Sequence, residues 1–177
     1  VRSKLLARLQ LEPGTGEPYS FLFRDAEDLI KVFRQDPLST VPTGLATLDG
    51  PKALCGGLRP GELGFVVGPS GRGKSLMLMN FGAAAILRGF WCVHYTFEVQ
   101  RDWVYRRYMS RFSGVSTLDV TDKSQRVLSR LKAQLRDGRA DVTVRFFPTK
   151  TFSVEKIRAD LNRLQDTLGV LPALVIV

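Results

Sequence analysis

The chain has 177 residues and a mass of 19.8 kDa, enough for one domain around one substantial core. With 44% hydrophobic and 24% charged residues it reads as an ordinary globular protein, which excludes a low-complexity or fibrous chain. Lys plus Arg outnumber Asp plus Glu by 26 to 17, a net charge of +9 that favours nucleic acid or another polyanion as partner; the bland account is a fragment whose acidic part lies elsewhere.

The segment VRSKLLARLQLEP is basic but has no apolar stretch long enough for a signal peptide, and it starts at Val, which points to a fragment. Pro13, Gly14, Gly16 and Pro18 predict a short helix running into a loop. Asp25 to Phe33 reads as a helix with acids near its positive end, and the prolines of QDPLSTVPTG break it. Residues 1–40 are thus an extension or linker, and 41–177 the main domain.

From there strands and helices alternate. Glu62–Val67 (ELGFVV) is a buried-strand candidate leading through a Gly-rich loop into KSLMLMNFGAAAILR, a helix apolar on nearly all sides that Gly89 can stop. Trp91–Phe97 is a second strand, and its His94 is expected to be a satisfied core histidine. A helix follows at Trp103–Phe112, with Val104, Tyr108 and Phe112 on the face turned to the sheet and Arg106, Arg107 and Arg111 on a basic face. Another runs from about Asp122 to Arg136, striped by Val127, Leu128, Leu131 and Leu135 and stopped by Gly138. Val142–Phe147 is the third strand. Ser153 is the expected cap of a helix whose stripe is Val154, Ile157, Leu161, Leu164 and Leu168, before Gly169. Leu171–Val177 is the fourth strand. This order predicts an α/β fold with a mostly parallel sheet flanked by helices. Cys55 and Cys92 form no CxxC and His94 is the only histidine, so no zinc site or disulfide framework is expected and a reducing cytosol suits the chain. No apolar run approaches 18 residues, so no membrane span is predicted.

The loop GPSGRGKS (Gly68, Pro69, Ser70, Gly71, Arg72, Gly73, Lys74, Ser75) satisfies G-x-x-x-x-G-K-[ST] at every position. Its glycines let the backbone wrap so that successive N–H groups aim at a phosphate, and the helix that follows adds its positive end. Lys74 then serves the β- and γ-phosphates of ATP, and the Ser75 hydroxyl takes a place on Mg²⁺. Hydrolysis also needs an acid to orient water and a second to hold the metal. Glu98, at the C-terminal end of the second strand, is the candidate for the first. For the second no predicted strand end offers an acid, and an apolar strand such as LPALVIV is expected to place one at the residue after Val177.

The elements VPTGLATLD, GGLRPGEL, GPSGRGKS and YTFEV, in that order, resemble the RecA-type motor domain of DnaB-type replicative helicases from about Val41 to Val177. TFEV stands where the family shows S-L-E-M, and Pro69 and Arg72 are individual to this loop. The resemblance implies a RecA-like P-loop core, here cut at its Walker B strand, that belongs to an ATP-hydrolysing DNA helicase. It implies a catalytic glutamate at Glu98, phosphate and metal roles for Lys74 and Ser75, and a nucleotide-site arginine at Arg107, with Arg106 beside it as the alternative. It further implies a hexameric ring, single-stranded DNA in its centre, primase or loader proteins as further partners, and a cytoplasmic location at a replication fork, chromosomal or phage- or plasmid-encoded. Taken without the rest of the motor, residues 1–177 are expected to hydrolyse ATP weakly or not at all. Two other readings stay open: a KaiC- or RadA-like ATPase that does not unwind, and a nucleotide-switched loader or adaptor. Val99 after Glu98, where KaiC-like proteins usually carry a second acid, favours the helicase.

Overall fold

A strand covered on both faces has no polar side to show, and CVHYT is buried at all five positions. This is β1 (Cys92–Thr96), the central strand of the computed structural model, which describes residues 40–134, 140–148 and 153–177. It lies between β2 (Val142–Phe146) and β3 (Leu174–Ile176), parallel to both. Cys92 stands opposite Val142 and Leu174, and His94 opposite Val144 and Ile176. Parallel neighbours require crossovers, and helices supply them. The elements α1 (Ala46–Asp49) and α2 (Lys74–Leu87) precede β1, while α3 (Arg101–Ser113), a 3₁₀ turn at Thr117–Asp119 and α4 (Ser124–Gln134) lead to β2. α5 (Val154–Leu168) connects β2 to β3. No described helix is long and apolar enough to cross a membrane.

Period-two alternation splits β1 between two layers. Cys92 and His94 face α2 and α3: the Cys92 Sγ lies 3.7 Å from the Gly82 carbonyl oxygen, and His94 Nδ1 lies 3.0 Å from the Tyr108 hydroxyl. Met79 and Ala83 of α2, Val104 and Tyr108 of α3 and Val144 of β2 form one buried cluster on that side. Tyr95 faces the other way, where its hydroxyl donates to Asp160 of α5 at 3.0 Å. The α3 face predicted from Val104, Tyr108 and Phe112 is therefore the packed one. Burial pushes the Cys92 thiol up to about 12 and holds His94 down to about 4, so both stay neutral near pH 7.

α2 touches the sheet so closely that Gly82 has no room for a side chain. A Cβ there would lie 2.4 Å from the Tyr108 hydroxyl and 3.0 Å from Ile176 Cδ1. Alanine is normally favoured over glycine inside a helix by about 1 kcal/mol. Here the clash outweighs that preference, and Gly82→Ala is expected to destabilise the fold by about 1–3 kcal/mol. A urea titration showing the variant equal to or more stable than wild type would contradict this packing.

The segment before the Gly-rich loop is pinned at its start. Val41 and Leu58 form an antiparallel bridge, and the Asp49 carboxylate accepts from the Thr43 N–H and hydroxyl and from the Gly44 N–H at 2.7–2.9 Å. Gly57 has φ +132°, and a Cβ on it would meet the Val41 oxygen at 2.1 Å, so only glycine fits beside the bridge.

Two expectations are revised. Glu62–Val67 forms no strand, and Leu63, Phe65 and Val67 are 77%, 81% and 91% exposed. Strand formation depends on ladder partners as much as on side chains, and no described strand pairs with this segment. The other strands are shorter than the apolar runs that contain them, as strands end where pairing ends. The predicted helix ends hold at three places: Arg88 and then Gly89 (φ +91°) close α2, Gly169 (φ +70°) closes α5, and the Ser153 hydroxyl accepts from the Lys156 N–H. The helix expected at Asp25–Phe33, the rest of the 1–39 extension, and Leu135 and Gly138 lie outside the described residues.

Candidate nucleotide site

Gly68–Ser75 runs from an irregular segment into the first turn of α2. Gly71 (φ +73°) and Gly73 (φ +83°) take left-handed backbone, and Gly73 is the residue from which the helix starts. Such a turn lifts the loop over the helix N-terminus, where N–H groups have no intrahelical partner. A Cβ at either glycine would meet nothing within 4 Å, so the loop bounds open space and not packed side chains. The Lys74 ammonium donates to the Pro69 carbonyl at 2.8 Å, which holds it across the loop. Ser75 is exposed in the first turn of α2.

A cavity of about 270 Å³ opens at the C-terminal end of β1. Ser75 from the loop, Glu98 just past β1 and Arg107 from α3 all line it, together with Thr96 and Val177. Of the candidate residues read from the sequence, Ser75, Glu98 and Arg107 thus meet at one cavity, while Lys74 and Gly68–Gly73 do not line it. Arg106 is also outside the lining: its guanidinium lies over the Trp103 ring, 5.5 Å from the centroid. Arg111, which does not line the cavity either, donates through Nε to the Asn80 side chain at 2.9 Å. The two adjacent arginines therefore differ by the helical step between them, which turns one toward the cavity and the other toward solvent and Trp103.

The donor set fits a metal that arrives with phosphate. No group of three or more His, Cys, Asp or Glu able to hold a metal by themselves exists among the described residues. Magnesium commonly keeps several waters and takes one or two protein ligands beside substrate phosphates, a role open to the Ser75 hydroxyl. A self-sufficient zinc or calcium cage does not fit these residues.

Sequence reasoning missed the polar cluster on the opposite face of the sheet. The Asp160 carboxylate, from α5, accepts from Tyr95 and from Arg145 Nε, each at 3.0 Å, and pairs with Arg145 through a second nitrogen. Burial first, then the hydrogen bond to Asp160, pushes the Tyr95 hydroxyl up, and the same carboxylate raises Arg145. The signal was present: Asp160 stands three residues after Ile157 and four before Leu164, on the stripe itself, and Arg145 interrupts an apolar strand.

No family model matches the chain. It is similar to the "Replicative DNA helicase DnaB" of Mycoplasma pneumoniae, at 27% identity over 165 residues, covering 88% of this chain and 34% of that protein. The chain thus spans about a third of the length of the curated relative it matches.

Proposed function

We propose that residues 41–177 belong to the motor domain of an ATP-driven, DnaB-type DNA helicase and supply its nucleotide-binding part. The observation that carries the reading is the shared cavity of Ser75, Glu98 and Arg107 beside a complete G-x-x-x-x-G-K-[ST] loop. The similarity to a replicative helicase across most of the chain supports the same conclusion. In this reading the parallel sheet flanked by helices is a RecA-like core.

The roles follow from charge and position. The loop N–H groups and Lys74 bind the β- and γ-phosphates of ATP, and Ser75 holds Mg²⁺. When bound, Mg²⁺ neutralises charge on the phosphate oxygens. Glu98, exposed at the strand end, orients the attacking water. Arg107 faces the same cavity and offers a cation to the phosphates. The energy of hydrolysis drives movement along single-stranded DNA within a hexameric ring, and the net charge of +9 suits a polyanionic track. ATP hydrolysis by the full-length protein should rise when single-stranded DNA is added. Glu98→Gln should keep nucleotide binding yet lose strand displacement. A rate indifferent to DNA would count against the helicase, and unimpaired unwinding by Glu98→Gln would remove the role given to Glu98.

A further inference from the structure

We infer that Thr96 is a positioning residue for Glu98, an inference that rests on the water-orienting role just proposed. Thr96 is the last residue of β1 and is buried. Its carbonyl accepts from the Phe147 N–H at 3.0 Å, which fixes the strand end against the exit of β2. Its hydroxyl points the other way along the chain and donates to the Val99 carbonyl at 2.7 Å. Only Phe97 and Glu98 lie between the two ends of that bond. A hydroxyl closing so short a turn restricts the backbone of both enclosed residues.

The far end of the turn is anchored as well, since Val99 packs on the cluster of Met79, Ala83, Val104 and Tyr108. Glu98 itself is exposed, and no hydrogen bond or ion pair holds its carboxylate among the described residues. Its position is therefore inherited from the backbone that Thr96 ties. The hydroxyl supplies what valine, of almost the same shape, cannot: a donor to Val99. A misplacement of about 1 Å at a reacting group can cost about 100-fold in rate. Loss of the tie should therefore act on turnover and leave nucleotide binding, which depends on Lys74 and the loop, largely intact.

The test is steady-state ATP hydrolysis by the full-length protein with single-stranded DNA present, comparing wild type with Thr96→Val, Thr96→Ser and Glu98→Gln. Thr96→Val is expected to lower kcat by about 10- to 100-fold while KM for ATP stays within about twofold, and Thr96→Ser to restore kcat to within about threefold. Thr96→Ala carries the same expectation where Thr96→Val fails to fold. Wild-type kcat in Thr96→Val or Thr96→Ala beside an inactive Glu98→Gln overturns the inference and leaves the role of Glu98 standing. A loss shared equally by kcat and KM and not rescued by serine also overturns it, as it marks general damage. Full activity in Glu98→Gln overturns the underlying role, whatever the Thr96 variants do.

Discussion

Lys74→Ala is expected to lower ATP hydrolysis by the full-length protein by about 100- to 1,000-fold, the scale of removing one preorganised donor from a developing charge. It should also weaken nucleotide binding, unlike Glu98→Gln. The difference comes from where the two groups act. The Lys74 ammonium is held across the loop by the Pro69 carbonyl at 2.8 Å, which keeps its charge at the loop. In the proposed roles, Lys74 meets the phosphates on binding and again in the transition state, whereas Glu98 has no part until water is to be oriented. Arginine should not rescue the loss, because its planar fork differs in shape from a compact ammonium at the end of a four-carbon stem. Nucleotide binding followed by fluorescence, with phosphate release measured in parallel, checks both halves. Hydrolysis by Lys74→Ala within threefold of wild type would show that the loop is not the phosphate cradle, and the nucleotide reading would fall with it.

What could be read from residues alone divides along the line between local and non-local physics. Helix ends were readable because the cap is written within a few positions, as at Ser153, Gly89 and Gly169. β1 was readable as a strand, with His94 as a core residue, because an apolar run of that length has few other uses. Glu62–Val67 shows the limit. Its side chains are those of a strand, but a strand exists only where another edge offers hydrogen bonds, and three paired strands do not include it. Leu128, on the predicted α4 stripe, is 48% exposed, while Val127 beside it is buried against Val115 and Val120. A stripe gives the face of a helix and not the depth to which each member sinks. Which way Arg106 and Arg107 turn likewise needed a structure, because neighbouring helix positions point about 100° apart and the sequence does not say which direction faces the cavity.

The same distinction governs the cluster that fastens α5 to the sheet. Arg145→Met should destabilise the fold by about 3–5 kcal/mol, the cost of leaving a buried charge uncompensated. Asp160→Ala should cost less, although it removes the other half of the same pair. The Asp160 side chain is only 7% exposed, against 40% for that of Arg145. Without Arg145, the carboxylate keeps a single donor, the Tyr95 hydroxyl, and stays away from water. Without Asp160, the half-exposed guanidinium can turn to solvent, and what remains is the lost hydrogen bond of Tyr95, worth about 1–3 kcal/mol when its donor is stranded. Chemical denaturation of the two single variants and of Arg145→Met combined with Asp160→Ala measures this directly. The double variant should be more stable than Arg145→Met alone, because removing the stranded charge relieves the larger penalty. If instead the two losses simply add, the pair is a solvated surface contact and α5 is held by Ile157, Leu161 and Leu164. If the double variant recovers, the polar link between α5, β1 and β2 is what sets the helix against the face of the sheet opposite α2 and α3.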